Sequence, residues 1–393
     1  MDVAVPQITL SIVTPSYNQG HFLEETVRSV LSQEGDFYID YIVMDGGSSD
    51  NSVDILKKYE ELLHSGNWKT SCLGINFRWF SEKDNGQSHA INKGFKIAEG
   101  EVLAWINSDD TFIENAFATV MGHFLTHPGD DFLYGDGDVI DENGTLQWEW
   151  LSRQYDYNLM KSFHFLWNDF TNYIMQQATF WRRSVLDKIG MIDESFHYAM
   201  DVEYWVRAGS SNLRLVHIPK KLGRFRMITG TKSLSSPTVF WPDMLEIFRR
   251  YNGADKMKPF LALFYYNLAK YDDFNIGNAP EGSRIIFNRW QNVAGEEKNV
   301  LESQAKRGFA LSCLLSINGA YNNGNKQATA SIANKIRNDF PGLMMHPLFI
   351  FYVIKCIIGP NLSSRLTRWI QAGINKYRQI RYQARYFKNP SSI

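Results

Sequence analysis

The chain has 393 residues, of which 44% are hydrophobic and 14% aromatic, and this composition is typical of an ordinary globular protein with a sizeable core and two domains. Its three cysteines, Cys72, Cys313 and Cys356, are odd in number and widely spaced, so they suggest neither a disulfide framework nor a zinc site. The formal net charge of −1 conceals an asymmetry, because residues 341–393 contain eight Lys or Arg and no Asp or Glu. A basic tail of this kind indicates an anionic partner, either a membrane or a nucleic acid.

The sequence carries no pattern for secretion near its start. No basic region followed by an apolar segment and a cleavage site precedes the first predicted strand. The longest apolar stretch, residues 347–359, is shorter than a membrane span and contains Lys355. We therefore expect a cytoplasmic protein, which agrees with the cysteine usage.

Strand, loop and helix patterns alternate through the N-terminal part of the chain. Apolar runs at residues 8–12, 38–44, 76–80 and 102–106 predict four strands, and each of the first three precedes a helical pattern. The fourth run is apolar throughout, so we interpret it as a central strand that is buried on both faces. The alternation predicts a doubly wound α/β sheet with a Rossmann-like nucleotide-binding half.

Further along the chain the pattern changes. Residues 131–136 predict another strand, and a helix is expected to begin at Asp201. From Phe240 onward the strand patterns fade and apolar residues recur at helical spacing. We therefore predict an α/β domain over residues 1–235 and a helical C-terminal region over residues 236–393.

The fourth predicted strand ends at two adjacent carboxylates, Asp109 and Asp110. Open α/β sheets bind ligands at the carboxyl ends of their strands, so both side chains are expected at the mouth of a site. Adjacent carboxylates repel each other, and Mg²⁺ or Mn²⁺ relieves the repulsion when it is held by carboxylates and substrate phosphates. The alternative is a turn in which one of the two caps a helix that begins near Glu114, and this stretch alone does not decide between them.

Two further loops carry side chains that suit a nucleotide. Tyr17 follows the first strand and can stack on a base, while Asp45 ends the second strand and can accept a hydrogen bond from that base. Singly, each has an ordinary explanation, as a surface aromatic and as a turn with a cap. Together with the carboxylate pair they fit a metal-bound nucleoside diphosphate. The sequence contains neither a Gly-x-x-x-x-Gly-Lys-Ser/Thr loop nor Gly-x-Gly-x-x-Gly after its first strand.

Five motifs follow one another between residue 8 and about residue 230. They are Thr14-Pro15-Ser16-Tyr17-Asn18, Asp45-Gly46-Gly47-Ser48-Ser49-Asp50, the stretch from Glu82 to Gly94, Asn107-Ser108-Asp109-Asp110 and Met200-Asp201-Val202-Glu203-Tyr204-Trp205. In their order and spacing they resemble the family 2 glycosyltransferases. The resemblance implies the GT-A fold, with a doubly wound mixed sheet. It also implies an enzyme in which an acceptor hydroxyl attacks a metal-bound nucleotide-sugar, with inversion at the anomeric carbon.

The resemblance also implies a role for each donor-site residue. Pro15 and Tyr17 would line the base pocket, and Asp45 and Asp84 would contact the nucleoside. The expected donor is a UDP-, GDP- or dTDP-sugar, since the motifs do not distinguish the base.

The same resemblance implies which residues carry the chemistry. Asp109 would face the ribose and the metal, Asp110 would be the principal ligand of Mn²⁺ or Mg²⁺, and Asp201 would be the catalytic base. A divalent ion stabilises charge on the leaving diphosphate, and a carboxylate can take the proton of the attacking hydroxyl. Asp201 also stands where a predicted helix begins, a position that favours an acidic residue for capping alone.

The sequence departs from the family pattern in places. Met200 stands where the family often has an acidic residue and His89 where it commonly has Asp, so His89 either bonds a ligand or is a surface histidine. Residues 176–183 resemble an acceptor-side segment without the Gln-x-x-Arg-Trp motif of processive polysaccharide synthases, and we therefore expect one sugar per encounter. Arg226 either approaches the diphosphate or forms a surface ion pair, as Arg224 can.

The helical region lies outside the resemblance. It contains a short apolar segment followed by basic residues, which can lie on an anionic leaflet or can form a core helix followed by a solvated basic helix. We expect membrane association and no nucleic-acid partner, because the basic residues are confined to the tail and no binding motif accompanies them. The apolar residues are Phe349, Ile350, Tyr352, Val353, Ile357 and Ile358, and the basic residues are Arg365, Arg368, Lys376, Arg378, Arg381, Arg385 and Lys388.

The leading hypothesis is thus a non-processive, inverting, metal-dependent glycosyltransferase that acts in cell-surface polysaccharide or glycolipid biosynthesis, with a saccharide or lipid-linked saccharide as acceptor. A nucleotidyltransferase is one alternative, but it would usually have a basic, glycine-rich loop after the first strand, and residues 15–20 contain no basic residue. A non-catalytic nucleotide-binding or sugar-binding module of the same fold is the other, and the presence of Asp110 and Asp201 argues against it.

Overall fold

The computed structural model describes residues 9–163, 173–228 and 239–359, together with Leu362 and Arg365, and the side chains of residues 278–283 also lie outside the description. The chain divides into two compact units, Met1–Tyr251 and Asn252–Ile393. The boundary predicted at residue 235 lies in a stretch outside the described residues.

The first unit begins with alternating strands and helices. In chain order these are β1 (Thr9–Ser16), α1 (Gly20–Leu31), β2 (Gly35–Asp45), α2 (Ser52–His64), β3 (Cys72–Ser81), α3 (Gln87–Ile97) and β4 (Val102–Trp105). The rest of the unit contains β5 (Thr111–Phe112), α4 (Ala116–Thr126), β6 (Phe132–Ile140), β7 (Leu146–Trp150), α5 (Tyr157–Lys161), β8 (Thr179–Arg182), α6 (Ser184–Ile189), α7 (Met200–Ser210), β9 (Leu215–Arg226) and α8 (Trp241–Asn252).

All nine of these strands belong to one mixed sheet. Its order is β3-β2-β1-β4-β8-β6-β9-β5, and β7 pairs with β6 outside this path. The first four strands are mutually parallel, and β8 is antiparallel to both β4 and β6. This arrangement confirms the predicted GT-A-type mixed sheet. Because Ser16, Asp45 and Ser81 are neighbours in register, the loops after β1, β2 and β3 leave the sheet side by side.

An aromatic cluster fills the core beneath the end of β4. The ring of Trp105 stacks on that of Trp205 with centroids 5.8 Å apart, and Trp181 contacts both rings edge-on. Phe95 and Phe132 complete the cluster, and all five side chains are buried. Replacing one such aromatic by alanine typically costs about 3–5 kcal/mol, so this cluster is a firm base for the loop that carries Asp109.

The strands that the sequence analysis did not find are short or polar. β5 has two residues and β8 has four, too few to show an alternating pattern, and β7 is exposed over most of its length. β9 has 12 residues, but its middle is polar and partly exposed, so it lacks a hydrophobic signature. β5, β7, β8 and β9 therefore form where the sequence shows no clear strand pattern.

The second unit is helical in its described part, as predicted. Its helices are α9 (Met257–Tyr271), α10 (Ala279–Trp290), α11 (Gly295–Asn322), α12 (Lys326–Asp339) and α13 (347–359). Residues from α11, α12 and α13 form one apolar core. Among the described residues, no helix is both long enough and apolar enough to span a membrane.

We predict that Gly223→Ala destabilises the first unit by about 2 kcal/mol, because overpacking a filled core usually costs about 1–3 kcal/mol. A Cβ at this position would lie 2.4 Å from the backbone oxygen of Gln177 and would push that residue away. Urea unfolding of the full chain measures the change. Gly122→Ala is the matched control, since nothing lies within 4 Å of its added Cβ and alanine favours helix. Equal stability of the Gly223 variant and the wild type would contradict the predicted contact.

Candidate functional site

A pocket of about 600 Å³ opens at the carboxyl ends of β1 and β4. The residues that the sequence analysis assigned to a site line its wall, with the exception of Asp45. They are Pro15, Tyr17, Asp84, Asp109, Asp110 and Asp201. The fold thus brings together side chains that lie almost two hundred residues apart in the chain.

Asp45 lies behind the pocket wall and shapes the loop that follows β2. Its carboxylate is buried and accepts hydrogen bonds from the backbone N–H groups of Gly47 (3.1 Å) and Ser48 (2.9 Å) and from the hydroxyl of Ser81 (2.6 Å). The hydroxyl of Ser48 also donates to it. These bonds hold the glycine turn in place, and the contact of Asp45 with a nucleoside stays a prediction.

Tyr17 and Asp84 stand on either side of Gly46. A Cβ on Gly46 would lie 2.9 Å from Oδ2 of Asp84 and 3.3 Å from Cδ2 of Tyr17, so only glycine permits this close approach. The Tyr17 side chain is 63% exposed, and Oδ1 of Asp84 accepts a hydrogen bond from the N–H of Gly86 (2.7 Å). An exposed ring beside a carboxylate suits a planar ligand that stacks and donates a hydrogen bond.

Asp110 is enclosed by hydrogen-bond donors. Its Oδ1 accepts from the backbone N–H of Arg226 (2.8 Å), and its Oδ2 accepts from the side-chain amides of Gln177 (2.7 Å) and Asn107 (3.1 Å). Only 1% of the residue is exposed. Asp110 therefore joins the end of β4 to the turn before β8 and to the end of β9.

Asp109 has a different environment. It is partly exposed on the pocket, and no other residue in the described ranges donates a hydrogen bond to its carboxylate. Burial raises its pKa, while the positive charge of Arg226 opposes the rise. Burial also raises the pKa of Asp110 well above its usual range, and the negative charge of Asp109 adds to that rise. A cation at Asp109 would relieve the repulsion between the two groups.

Arg226 is part of the pocket wall, but its side chain is buried there. Its approach to a diphosphate stays a prediction. Its side chain is 1% exposed, its Nε donates to the backbone oxygen of Asp109 (2.9 Å), and its Nη2 contacts the carboxylate of Glu25. The guanidinium also lies 5.0 Å from the centre of the Phe22 ring. Arg226 thus holds the carboxylate loop against α1, which the sequence did not indicate.

The carboxylates present fit a divalent cation that uses few protein ligands. Within the described ranges no three or more His, Cys, Asp or Glu side chains converge as a metal-binding group. Hard cations such as Mg²⁺ often take one or two carboxylates and complete their shell with water and substrate phosphates. Asp109 offers free carboxylate oxygens for this purpose, whereas both oxygens of Asp110 already accept hydrogen bonds.

Asp201 occupies the first turn of α7 and is partly exposed in the pocket. Its Oδ1 accepts a hydrogen bond from the N–H of Val202 (2.8 Å), and no Lys or Arg in the described part of the chain pairs with it. Burial raises its pKa to about 6. The nearby Glu203 is buried and bonded to Arg207 and Tyr251. Of these two carboxylates, Asp201 is therefore the one available to a ligand.

The loop before α7 is held by a residue that the sequence analysis missed. The buried carboxylate of Asp243 accepts hydrogen bonds from three successive backbone N–H groups, those of His197 (2.9 Å), Tyr198 (2.7 Å) and Ala199 (3.2 Å). Asp243 is 46 positions from His197 in the chain, and no local sequence pattern connects the two. This carboxylate fixes the start of the helix that carries Asp201.

Flat apolar side chains form another part of the pocket wall. Trp150, Tyr198, Phe225 and Phe240 all line it, and the rings of Tyr198 and Phe240 are 5.3 Å apart. The sequence analysis did not select these residues, since isolated aromatics carry no spacing pattern. His89 does not line the pocket, and its Nδ1 accepts a hydrogen bond from Asn85 in the turn before α3.

Sequence comparison relates this chain to known proteins. The family model described as Glycosyl transferase family 2 matches residues 11–190. An uncharacterized glycosyltransferase of Mycobacterium tuberculosis is 30% identical over 205 residues, which cover 51% of this chain and 68% of the relative. A PGL/p-HBAD biosynthesis glycosyltransferase of Mycobacterium bovis is 27% identical over 203 residues, which cover 51% of this chain and 70% of that protein.

A solved structure shares the fold. The structure of S. aureus TarS in complex with UDP-GlcNAc aligns with a TM-score of 0.56 at 14% identity, over 81% of this chain and 92% of that one. The fold and the matches together define a GT-A enzyme of the glycosyltransferase class. The chain belongs to the family 2 glycosyltransferases, as its motifs predicted.

The stability of Asp201→Asn distinguishes two roles of this residue, a carboxylate that burial destabilises and a carboxylate that only caps α7. Because burial raises the folded-state pKa from 3.8 to about 6, ionisation opposes folding above about pH 4 and does so fully above about pH 6. We expect the variant to be more stable than the wild type near neutral pH, by up to about 3 kcal/mol, and to lose this advantage near pH 4. Chemical unfolding at both pH values measures it.

A residue that acts only as a helix cap gives the opposite result. Loss of its negative charge at the helix N-terminus would cost about 0.5 kcal/mol at neutral pH, since the charge favours that end of the helix. Destabilisation of Asp201→Asn at neutral pH would therefore support the capping role and contradict a desolvated carboxylate.

Proposed function

We propose that this protein is an inverting, metal-dependent glycosyltransferase that moves one sugar per encounter from a nucleotide-sugar to an acceptor hydroxyl. The observation that carries the proposal is the joint position of Tyr17, Asp84, Asp109 and Asp201 on one pocket. An exposed ring, a carboxylate pair and a separate carboxylate of raised pKa are the groups that this reaction needs.

On the donor side, the base stacks on Tyr17 and bonds to Asp84, with Pro15 beside it in the wall. Asp45 holds the neighbouring turn at Gly47 and Ser48 and is the second candidate for the nucleoside contact. A UDP-sugar is the first donor to test, because the TarS structure of similar fold holds UDP-GlcNAc. GDP- and dTDP-sugars are the alternatives.

For the metal, we propose Mn²⁺ or Mg²⁺ held first by Asp109, with Asp110 as the inner carboxylate. The family motif placed Asp110 first, but its two oxygens already accept hydrogen bonds from Arg226, Gln177 and Asn107. When bound, such a cation stabilises the negative charge that develops on the leaving diphosphate. Arg226, Gln177 and Asn107 keep the two carboxylates in place.

Asp201 is proposed to accept the proton of the acceptor hydroxyl. A base works best when its pKa lies near the working pH, and a pKa of about 6 is closer to neutrality than that of an ordinary carboxyl. Asp243 sets the position of Asp201 through the three N–H groups that precede α7. Trp150 and Phe240 offer flat surfaces for an acceptor sugar.

We propose that the acceptor is a saccharide or lipid-linked saccharide in cell-surface polysaccharide or glycolipid biosynthesis. One relative is described as a PGL/p-HBAD biosynthesis glycosyltransferase, which supports a biosynthetic role. We place the protein in the cytoplasm, peripheral on the inner face of the cell membrane. Membership of the enzyme family argues against a non-catalytic module and against a nucleotidyltransferase.

Calorimetric titration of the full chain with UDP, GDP and dTDP, each with and without Mn²⁺, tests the donor site. We expect one nucleotide, UDP first, to bind at least about tenfold more tightly when Mn²⁺ is present, because the cation joins the diphosphate to Asp109. Asp201→Asn should bind as the wild type does, since the base does not contact the nucleotide. Failure of all three nucleotides to bind to a folded protein would overturn the proposal.

A pair of variants distinguishes the role of Asp109 from that of Asp110. Asp109→Asn should reduce Mn²⁺-dependent nucleotide affinity by at least about tenfold without loss of stability, because it removes a ligand and a repulsive charge. Asp110→Asn should instead lower the free energy of unfolding by about 1–3 kcal/mol. Its side-chain NH2 group would face N–H donors that now bond to the carboxylate, and we expect the lost bonds to outweigh the relief of removing a buried charge. Calorimetry and urea unfolding measure the two effects. Unchanged affinity in Asp109→Asn together with lost affinity in a folded Asp110→Asn would return the main ligand to Asp110.

A further inference from the structure

One face of α13 is fixed in the core of the second unit. Phe349 is buried with residues of α11 and α12, and the ring of Tyr352 packs 6.1 Å from that of Tyr321. The side-chain amide of Asn318 donates to the backbone oxygen of Leu348 (3.1 Å), and the hydroxyl of Tyr321 donates to that of Lys355 (2.8 Å). These contacts determine which face of α13 points away from the core.

The charged residue of α13 lies on the inner face. Lys355 is the one charged residue among residues 347–359, and it is only 1% exposed. Its Nζ donates to Oδ1 of Asn322 (3.0 Å) and lies 4.6 Å from the centre of the Phe351 ring. Burial lowers its pKa, which means that the surroundings disfavour the charge. A helix that evolved to face water would be expected to turn this side chain outward.

The opposite face of α13 is apolar and exposed. Ile350, Val353, Ile354 and Ile357 follow the spacing i, i+3, i+4 and i+7, which places them in one stripe. Their exposed fractions are 41%, 39%, 41% and 78%. Met345 before the helix and Leu362 after it are also exposed. A continuous apolar stripe of this kind on a protein surface marks an interaction site.

The charge of the chain around the stripe identifies its partner. Residues 341–393 contain eight Lys or Arg and no acidic residue, and all of the eight except Lys355 lie between Arg365 and Lys388. An apolar stripe needs an apolar partner, and the Lys and Arg residues that follow it in the sequence need an anionic partner. An anionic lipid bilayer offers both, whereas a nucleic acid offers no hydrocarbon and the same face of a second copy of this chain would bring the same positive charge.

We propose that the stripe formed by Ile350, Val353, Ile354 and Ile357 is a docking surface for an anionic lipid bilayer, assisted by the basic residues that follow it. The stripe would enter the boundary between headgroups and acyl chains, and the positive charge that follows it in the sequence would be attracted to the anionic lipid surface. The inference deepens the peripheral location proposed above, but it does not depend on the transfer chemistry.

Vesicle co-sedimentation of the full chain tests the inference. We expect the protein to sediment with vesicles of equimolar phosphatidylcholine and phosphatidylglycerol, and at least about tenfold more weakly with phosphatidylcholine alone. Binding should weaken in about 1 M salt, where the screening length falls to about 3 Å. The double variant Ile354→Ser, Ile357→Ser should bind the anionic vesicles at least about tenfold more weakly, since two buried apolar side chains are lost.

Two controls make the result specific. Phe287→Ser removes another exposed apolar side chain of the second unit, 63% exposed on α10, and should leave vesicle binding unchanged. Thermal unfolding should show that the double variant is folded, as expected for exposed positions. Nucleotide binding by calorimetry should be the same in wild type and double variant, so that failure of the docking surface and failure of the donor site are seen separately.

Three outcomes would overturn the inference. They are equal binding to neutral and anionic vesicles, unchanged binding of the folded double variant, and absence of vesicle binding by a wild type that light scattering shows to be a dimer. In the last case loss of the dimer in the double variant would assign the stripe to a second copy of the chain.

Discussion

The site depends on the set of hydrogen bonds that converge on Asp110. The backbone N–H of Arg226 and the amides of Gln177 and Asn107 all point at one buried carboxylate, and the hydroxyl of Thr26 bonds to its backbone oxygen. These partners come from β9, from the turn before β8, from the end of β4 and from α1. A single buried charge therefore brings the parallel and the antiparallel halves of the sheet to one point, and the pocket forms where they meet.

The adjacency of Asp109 and Asp110 is physically useful because the two residues do different work. A buried carboxylate is tolerated only when donors surround it, and Asp110 has these donors. Asp109 then sits beside a charge that cannot move away, which leaves it repelled and open to the pocket. Arg226 opposes this repulsion only in part, and a cation bound at Asp109 would relieve the rest. Two identical residues in sequence thus become a structural group and a candidate ligand group.

The parallel half of the sheet was predictable because β1 and β2 are long enough to show their patterns, while β4 is short but apolar throughout and ends at a polar loop. The same loops located Tyr17 and Asp109 correctly at one edge. The remaining parts of the site were not predictable, since Asp243 acts on backbone groups far away in the chain and Arg226 is buried although arginine is usually exposed. Such contacts depend on tertiary packing and leave no local pattern.

The second unit shows a further limit of reasoning from residue types. The sequence indicates that α13 is apolar with one lysine, but it does not indicate which side faces the core. The structure turns Lys355 inward and the isoleucines outward, and in water both choices oppose folding. At a bilayer surface the exposure of Ile354 and Ile357 becomes favourable, because hydrocarbon replaces water around them. The orientation that destabilises the folded protein in solution therefore stabilises its complex with the membrane. The same exposed face is unfavourable in water and favourable at a bilayer surface.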